Sequence, residues 1–226
     1  MSFSWVIIII VFIKLLYVYS IQFNFPKCSK INLDELDAYA KTGDMLLFHA
    51  TDNFNSTYMI SYITHVGIIF RKNMQTKPII FEAFDPLRME NSPFEFNNGI
   101  ISANLEERCK TYRGFIYYKQ LKHSISESAK LDFEQFITWA HANLYYMPNI
   151  ISNAFKKIIF NDKFRYATQC GELTTMSLIK LNLLPKSVLN SNRKHHLQWV
   201  SNITKLTNNE YLPWLKISRK YWIIAN

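Results

Sequence analysis

The residues with the clearest chemical potential in this sequence are a thiol, an imidazole and a carboxylate: Cys170, His65 and Glu82. A thiol at the start of a helix is acidified by unsatisfied backbone N–H groups and by the positive end of the helix dipole, so it is a candidate nucleophile. A histidine within reach can take the thiol proton, and a carboxylate can orient the imidazole and stabilise its charge. Together these residue types predict attack on an acyl carbon and an acyl-enzyme intermediate.

The segment around Cys170 carries the sequence signals of a helix start. Thr168 is the expected N-cap, Glu172 falls in the first turn, and an apolar run continues up to Pro185. Gly171 has no side chain, so another group can approach the sulfur closely. The backbone N–H of Cys170 is the expected donor to an oxyanion.

Two apolar runs are predicted to be neighbouring strands that position the other two residues. His65 lies in the run 61–70 and Glu82 in the run 79–84, with a charged turn between them. A carboxylate in an apolar strand is costly unless it is paired, so we expect Glu82 to lie beside His65. His49, which ends the preceding strand, is an alternative base.

The remaining segments complete a mixed helix and strand pattern. The predicted elements are a helix over 32–40, a strand over 114–121, a helix capped by Ser126 or Ser128, and an apolar helical stretch over 150–160. The segment 85–100 contains several turn signals and is predicted to be a loop, either a plain surface loop or one that covers substrate.

These motifs and their order resemble those of a known enzyme family. They are Gly43-Asp44 before the first long strand, Thr64-His65-Val66-Gly67-Ile68, Glu82 in the next strand, and Gln169-Cys170-Gly171-Glu172-Leu173. The histidine precedes the cysteine, as in the circularly permuted papain-like enzymes of the NlpC type, which include the lecithin:retinol acyltransferase relatives. The resemblance covers about residues 32–185.

The resemblance implies an α+β, permuted papain-like fold, in which an antiparallel sheet packs against a helix with the nucleophilic cysteine at its N-terminus. It implies that Cys170 is the nucleophile, His65 the general base and Glu82 the residue that orients the imidazole. The implied function is a thiol hydrolase that cleaves an amide, as a peptidase or amidase. The expected partner is therefore a peptide or amide substrate.

Two other functions remain open at the level of the sequence. A lipid acyltransferase or thioesterase would use the same three residues on a lipid-acyl substrate. A non-enzymatic membrane- or virion-associated protein would retain only the scaffold. Each residue also has an ordinary structural interpretation, namely an inert buried thiol, a core histidine and a strand-end carboxylate.

The length and the N-terminus predict the domain organisation. The 226 residues suit one domain over 27–226, with the motif-bearing core at about 32–185. The apolar segment 3–19 predicts that residues 1–26 are either a signal peptide or a membrane anchor, so the protein is expected to be membrane-associated or secreted.

Charge and cysteine content restrict the other function classes. The net charge of +9 comes from scattered basic residues, which does not favour nucleic-acid binding. Cysteine and histidine spacing does not match a zinc site, so we expect no metal and no cofactor. In an oxidising compartment a disulfide between Cys28 and Cys109 is an open alternative that would leave Cys170 free, whereas in the cytosol all three cysteines would be reduced.

Overall fold

The computed structural model of the protein describes residues 28–50, 65–84, 99–112, 114–146, 167–168, 170–187, 209–213 and 215–218. Nine strands and four helices lie within these residues. The strands are β1 (Ser29–Asn32), β2 (Met45–Ala50), β3 (His65–Phe70), β4 (Ile79–Ala83), β5 (Ile100–Asn104), β6 (Gly114–Lys119), β7 (Tyr145–Tyr146), β8 (Ala167–Thr168) and β9 (Leu215–Ser218). The helices are α1 (Leu33–Tyr39), α2 (Leu105–Thr111), α3 (Glu127–Asn143) and α4 (Cys170–Lys180).

Seven of the strands form one mixed sheet in the order β1-β9-β6-β2-β3-β4-β5. The predicted α+β class is confirmed. The prediction of an antiparallel sheet is wrong in one detail, because β1 and β9 pair in parallel while the other pairs in this sheet are antiparallel. These two strands come from opposite ends of the described chain, so no local turn connects them and their relative direction is not set by a hairpin.

Two apolar clusters cover the two faces of this sheet. The first contains alternate residues of β2, β3 and β4 with the apolar sides of α3 and α4, including Met45, Ile68 and Phe133. The second contains the intervening strand residues with α1 and α2, including Leu46, Ile69 and Leu36. Alternation along the strands thus places helices on both faces.

Capping residues set the starts of two of the helices predicted from the sequence. Asn32 forms a capping box with Glu35: the Glu35 N–H donates to Asn32 Oδ1 at 2.8 Å and the Asn32 N–H donates to Glu35 Oε2 at 3.0 Å. Ser126, the first of the two predicted caps, accepts from the Ala129 N–H. The predicted apolar face of α3 is buried, as expected from its spacing.

The three cysteines are all free, so the conditional pairing of Cys28 with Cys109 is wrong. The physical reason is their location. Cys28 packs against the cluster that contains α3 and α4, whereas Cys109 belongs to the cluster on the opposite face of the sheet. A disulfide requires the two Cα atoms to lie within about 7 Å of each other.

Within the described ranges no helix is both long and apolar enough to cross a membrane. This finding contradicts the predicted transmembrane helix as far as the described residues reach. The segment 3–19, which carried the signal-peptide and anchor predictions, lies outside them, as do the predicted helix over 150–160 and most of the loop 85–100.

Candidate active site

The strand pair β3–β4 brings His65 and Glu82 together, as the alternation predicted. Its register pairs Phe70 with Ile79 and Ile68 with Phe81. Continuing that register places Gly67 opposite Glu82 and puts His65 on the same face, one diagonal step away. The His65 Nε2 atom makes a short contact with Glu82 Oε2. Because an ionised carboxylate only accepts hydrogen bonds, Nε2 is the donor and carries a proton.

Gly67 supplies the space that this pair requires. A Cβ atom at this position would lie 2.6 Å from Ile80 Cδ1 and 3.2 Å from Glu82 Cβ. Both distances are shorter than ordinary carbon–carbon contacts. A side chain at position 67 would therefore push β4, which carries Glu82, away from β3. The glycine at this position lets Glu82 pack directly against β3.

Cys170 contacts His65, which is the first residue of β3. The β3–β4 pairs in the described residues involve residues 68–70 of β3, so His65 lies beyond them. Its side chain hydrogen-bonds to His65, and the backbone N–H groups of Gly171 and Val66 also donate to the sulfur. The helix that carries it, α4, packs on β3 and β4. Just before α4, the two-residue strand β8 pairs with β7, which ties this end of the helix to the end of α3.

Arg108 completes the site from α2. Its Nε donates to Glu82 Oε1 at 2.5 Å and one terminal nitrogen donates to Glu82 Oε2 at 3.3 Å. The side chains of Arg108 and Glu82 are 2% and 0% exposed, and that of His65 is 11% exposed. A buried carboxylate thus lies between a guanidinium and an imidazole, and both of its oxygens have charged partners.

Three aromatic rings surround these charges. The Arg108 guanidinium carbon lies 4.8 Å from the Phe48 ring centroid, 5.0 Å from that of Phe84 and 5.3 Å from that of Tyr112. The His65 ring packs on Phe48 and Phe84 at centroid distances of 5.2 and 5.3 Å. The rings exclude water from the ion pairs, which strengthens the electrostatic interactions inside.

The pKa values of Glu82 and His65 follow from these contacts. Burial raises the pKa of Glu82, but the charges of Arg108 and His65 outweigh it and lower the pKa to about 2. Burial likewise lowers the pKa of His65, yet the Glu82 charge and the hydrogen bonds that His65 makes with Cys170 and Glu82 raise it to about 9. At neutral pH Glu82 is therefore ionised and His65 is an imidazolium.

The pKa of the Cys170 thiol is lowered. Burial opposes ionisation, but the hydrogen bond and charge of His65, together with the N–H groups of Gly171 and Val66, favour the thiolate. Cys170 as a residue is neither fully buried nor fully exposed. These contacts give the arrangement the chemistry of a thiolate–imidazolium pair oriented by a carboxylate.

Other predicted residues take different positions. Thr168, the expected N-cap, belongs to β8 instead of standing directly before the helix. His49, the alternative base, stacks on Phe115 at a centroid distance of 6.0 Å, while the hydrogen bond to Cys170 comes from His65. In the part of the chain that the structure describes, no group of three or more ligating side chains is arranged to hold a metal ion.

Arg108 and the helix that carries it were not predicted from the sequence. Helix α2 has seven residues, five of them polar or charged, and its sequence resembles a solvated surface segment. The available signal was Asn104 followed three residues later by Glu107, because Asn104 is the N-cap and accepts from the Glu107 N–H at 3.2 Å. That signal locates the helix but does not indicate that Arg108 is buried.

The sequence was compared with family models and with curated proteins. No family model matches it, and no curated protein matches it either.

Proposed function

We propose that the protein is a thiol hydrolase that cleaves an amide bond through Cys170, His65 and Glu82. The observation that carries this proposal is the hydrogen-bonded series from the Cys170 thiol to His65 and from His65 Nε2 to the buried carboxylate of Glu82. Nucleophile, base and orienting acid lie on three separate elements, α4, β3 and β4, so their meeting depends on the fold and not on sequence proximity.

The chemistry follows from the groups present. The Cys170 thiolate attacks the carbonyl carbon, and the C=O π electrons move onto the oxygen. Because Nε2 binds Glu82, Nδ1 is the ring nitrogen that transfers a proton to the leaving amine as the C–N bond breaks. Water then loses a proton to His65 and attacks the thioester, which releases a carboxylic acid and regenerates the thiolate. Glu82 holds the imidazole and stabilises its positive charge throughout.

We further propose a permuted papain-like arrangement for this fold. The chain order His65, Glu82, Cys170 supports it, as does a helix over Cys170–Lys180 that packs on β3 and β4. The N–H of Gly171, in the first turn of that helix, donates to the sulfur and favours its ionised form. The backbone N–H of Cys170 remains the proposed oxyanion donor.

Alkylation of the full-length chain with iodoacetamide tests the reactive pair. Cys170 is expected to react faster than Cys28 and Cys109, and the rate at Cys170 is expected to fall at least tenfold in His65→Ala at pH 7. His49→Ala is the matched control and should leave the rate unchanged. Mass spectrometry of the three cysteine peptides gives the individual rates. Equal, slow labelling of all three cysteines would exclude the proposal.

Trapping of the acyl-enzyme tests the substrate class. The full-length chain is incubated with peptide amides and, separately, with long-chain acyl esters, and the mass added to Cys170 is measured after acid quenching. A peptide-derived thioester that is absent in Cys170→Ser supports amide cleavage. A fatty-acyl adduct alone would assign the site to lipid acyl transfer, and no adduct with either class would favour a non-enzymatic role.

A further inference from the structure

Arg108 is the second cation at the candidate active site, after His65. Among the contacts of the described residues, none joins Arg108 to the Cys170 thiol or to the His65 imidazole. Its contacts are the two donors to Glu82 and the three aromatic rings around the guanidinium. Glu82 is therefore the residue that links Arg108 to the reactive pair by hydrogen bonds.

Charge balance shows why that effect is large. With Cys170 as thiolate, His65 as imidazolium, Glu82 as carboxylate and Arg108 as guanidinium, the four buried or partly buried groups sum to zero. Without Arg108 the same ionisation states sum to one negative charge among apolar rings, which is unfavourable. Binding one proton restores neutrality. The His65 imidazolium remains beside Glu82 and favours its ionised form, so we expect the thiolate to take the proton.

We propose that Arg108 is a positioning residue that acts through Glu82: it supplies the counter-charge that lets the resting site hold Cys170 as a thiolate beside a protonated His65. This inference rests on the proposed function, in which Cys170 and His65 form the reactive pair. It assigns α2 a part in setting the acidity of a thiol carried by α4, although the two helices lie on opposite faces of the sheet.

The charges on neighbouring elements do not replace Arg108. The other titratable or charged groups on the elements around the four residues are His49 on β2, Glu106, Glu107 and Lys110 on α2, Tyr112 after α2, and Glu172 and Lys180 on α4. Glu106 pairs with Lys110 at the surface. Among the charges that lower the pKa of Glu82, that of Arg108 contributes most, followed by that of His65.

A buried arginine–glutamate pair can also be purely structural, so the test needs a readout that packing alone would not move. The pH profile of Cys170 alkylation is such a readout, because the acid limb reports where the thiolate takes a proton. In Arg108→Met, which keeps an unbranched apolar stem, the limb is expected to move up by about 1 pH unit or more. At a pH between the two limbs this is about a tenfold loss of rate.

Two further variants separate charge from shape. Arg108→Lys keeps the charge and loses the planar fork, so its limb is expected to stay within about 0.3 pH unit of the wild-type limb, since it is the net charge that sets the balance. Arg71→Lys is the matched control: Arg71 donates to backbone carbonyls of Asp37, Met74 and Thr76 and is expected to change stability without moving the limb.

The outcomes distinguish this inference from the proposed function. If alkylation of Cys170 does not depend on His65, both are overturned. If it depends on His65 but Arg108→Met leaves the limb in place, only the role of Arg108 is overturned. If Arg108→Met does not fold, Arg108→Gln, which keeps a side-chain donor for Glu82 and loses the charge, takes its place: a limb raised by about 1 pH unit supports the counter-charge role, and an unmoved limb contradicts it.

Discussion

Two buried carboxylates, Glu82 on β4 and Asp44 directly before β2, have opposite properties. Glu82 lies between Arg108 and His65, and its pKa falls to about 2. Asp44, directly before β2, accepts from the Tyr118 hydroxyl at 2.5 Å and from the Leu121 and Lys41 N–H groups at 2.8 and 2.9 Å. Burial raises the pKa of Asp44 to about 6, although these hydrogen bonds and the Lys41 charge oppose the rise.

The comparison teaches what distinguishes a reactive environment from a structural one in this fold. Neutral donors satisfy the oxygens of Asp44 and anchor the turn before β2, but they do not compensate fully for the lost hydration of the charge. For Glu82, the positive charges of Arg108 and His65 compensate for the lost hydration. A carboxylate that must stay negative in order to hold an imidazolium requires full positive charges beside it, and a carboxylate that only anchors a turn does not.

The largest expected effect is the loss of stability when each carboxylate becomes an amide. Glu82→Gln leaves the buried Arg108 without its anion, so the free energy of unfolding is expected to fall by about 3–5 kcal/mol at pH 7. Asp44→Asn leaves one unsatisfied donor and is expected to cost about 1–2 kcal/mol. Urea denaturation of the two variants and the wild type measures both. A larger loss for Asp44→Asn would contradict the distinction between the two sites.

The next effect is an opposite response to pH. The pKa of Asp44 is raised from 3.8, so its contribution to stability is full below about pH 3.8 and is lost as the pH rises through about 6. The pKa of Glu82 is lowered from 4.5, so its contribution is present above about pH 4.5 and is lost as the pH falls toward 2. The two carboxylates therefore respond to acid with opposite sign.

Stability measured against each variant gives these contributions separately. The wild-type advantage over Asp44→Asn is expected to grow by up to about 3 kcal/mol between pH 7 and pH 4. The advantage over Glu82→Gln is expected to hold between pH 7 and pH 5 and to shrink below pH 4.5. The same sign for both variants would show that the neighbouring cations do not outweigh the burial of Glu82.

Alternation along short strands was enough to predict the Glu82 contact. Side chains alternate between the two faces of a strand, so His65 and Glu82 lie on one face of the hairpin. Residues 71–78 connect its two strands, so the pairing follows from local sequence. The Cys170 helix was also predictable, because its apolar run and following proline are local signals. Both predictions depend only on residues near each other along the chain.

The burial of Arg108 and the pairing of β1 with β9 at the sheet edge were not predictable in this way. The burial of Arg108 is decided by a carboxylate 26 residues earlier in the chain. The pairing of β1 with β9 joins residues about 186 positions apart, each in a four-residue strand. Tertiary contacts of this kind leave no periodic trace in the sequence. A charge count around Glu82 would have indicated that a second cation was needed, but not which residue supplies it.

The smallest effect concerns the glycine beside each carboxylate. Gly67→Ala places a Cβ against Ile80 and Glu82, and it is expected to cost about 1–3 kcal/mol and to slow Cys170 alkylation, because Glu82 must move. Gly43, with φ of 93°, precedes Asp44. Gly43→Ala is expected to cost about 1–2 kcal/mol through backbone strain and to leave alkylation unchanged.

Gly171→Ala is the control for both, because a Cβ at this position would have no described atom within 4 Å apart from its chain neighbours and the backbone of its own helix. A better helix former there is expected to raise stability by up to about 1 kcal/mol and to keep the alkylation rate within about twofold. Urea denaturation and alkylation of the three variants measure both quantities. If Gly43→Ala slows alkylation as much as Gly67→Ala does, the turn at Asp44 is coupled to the site of Glu82. Asp44 then belongs to the reactive site rather than to the turn alone.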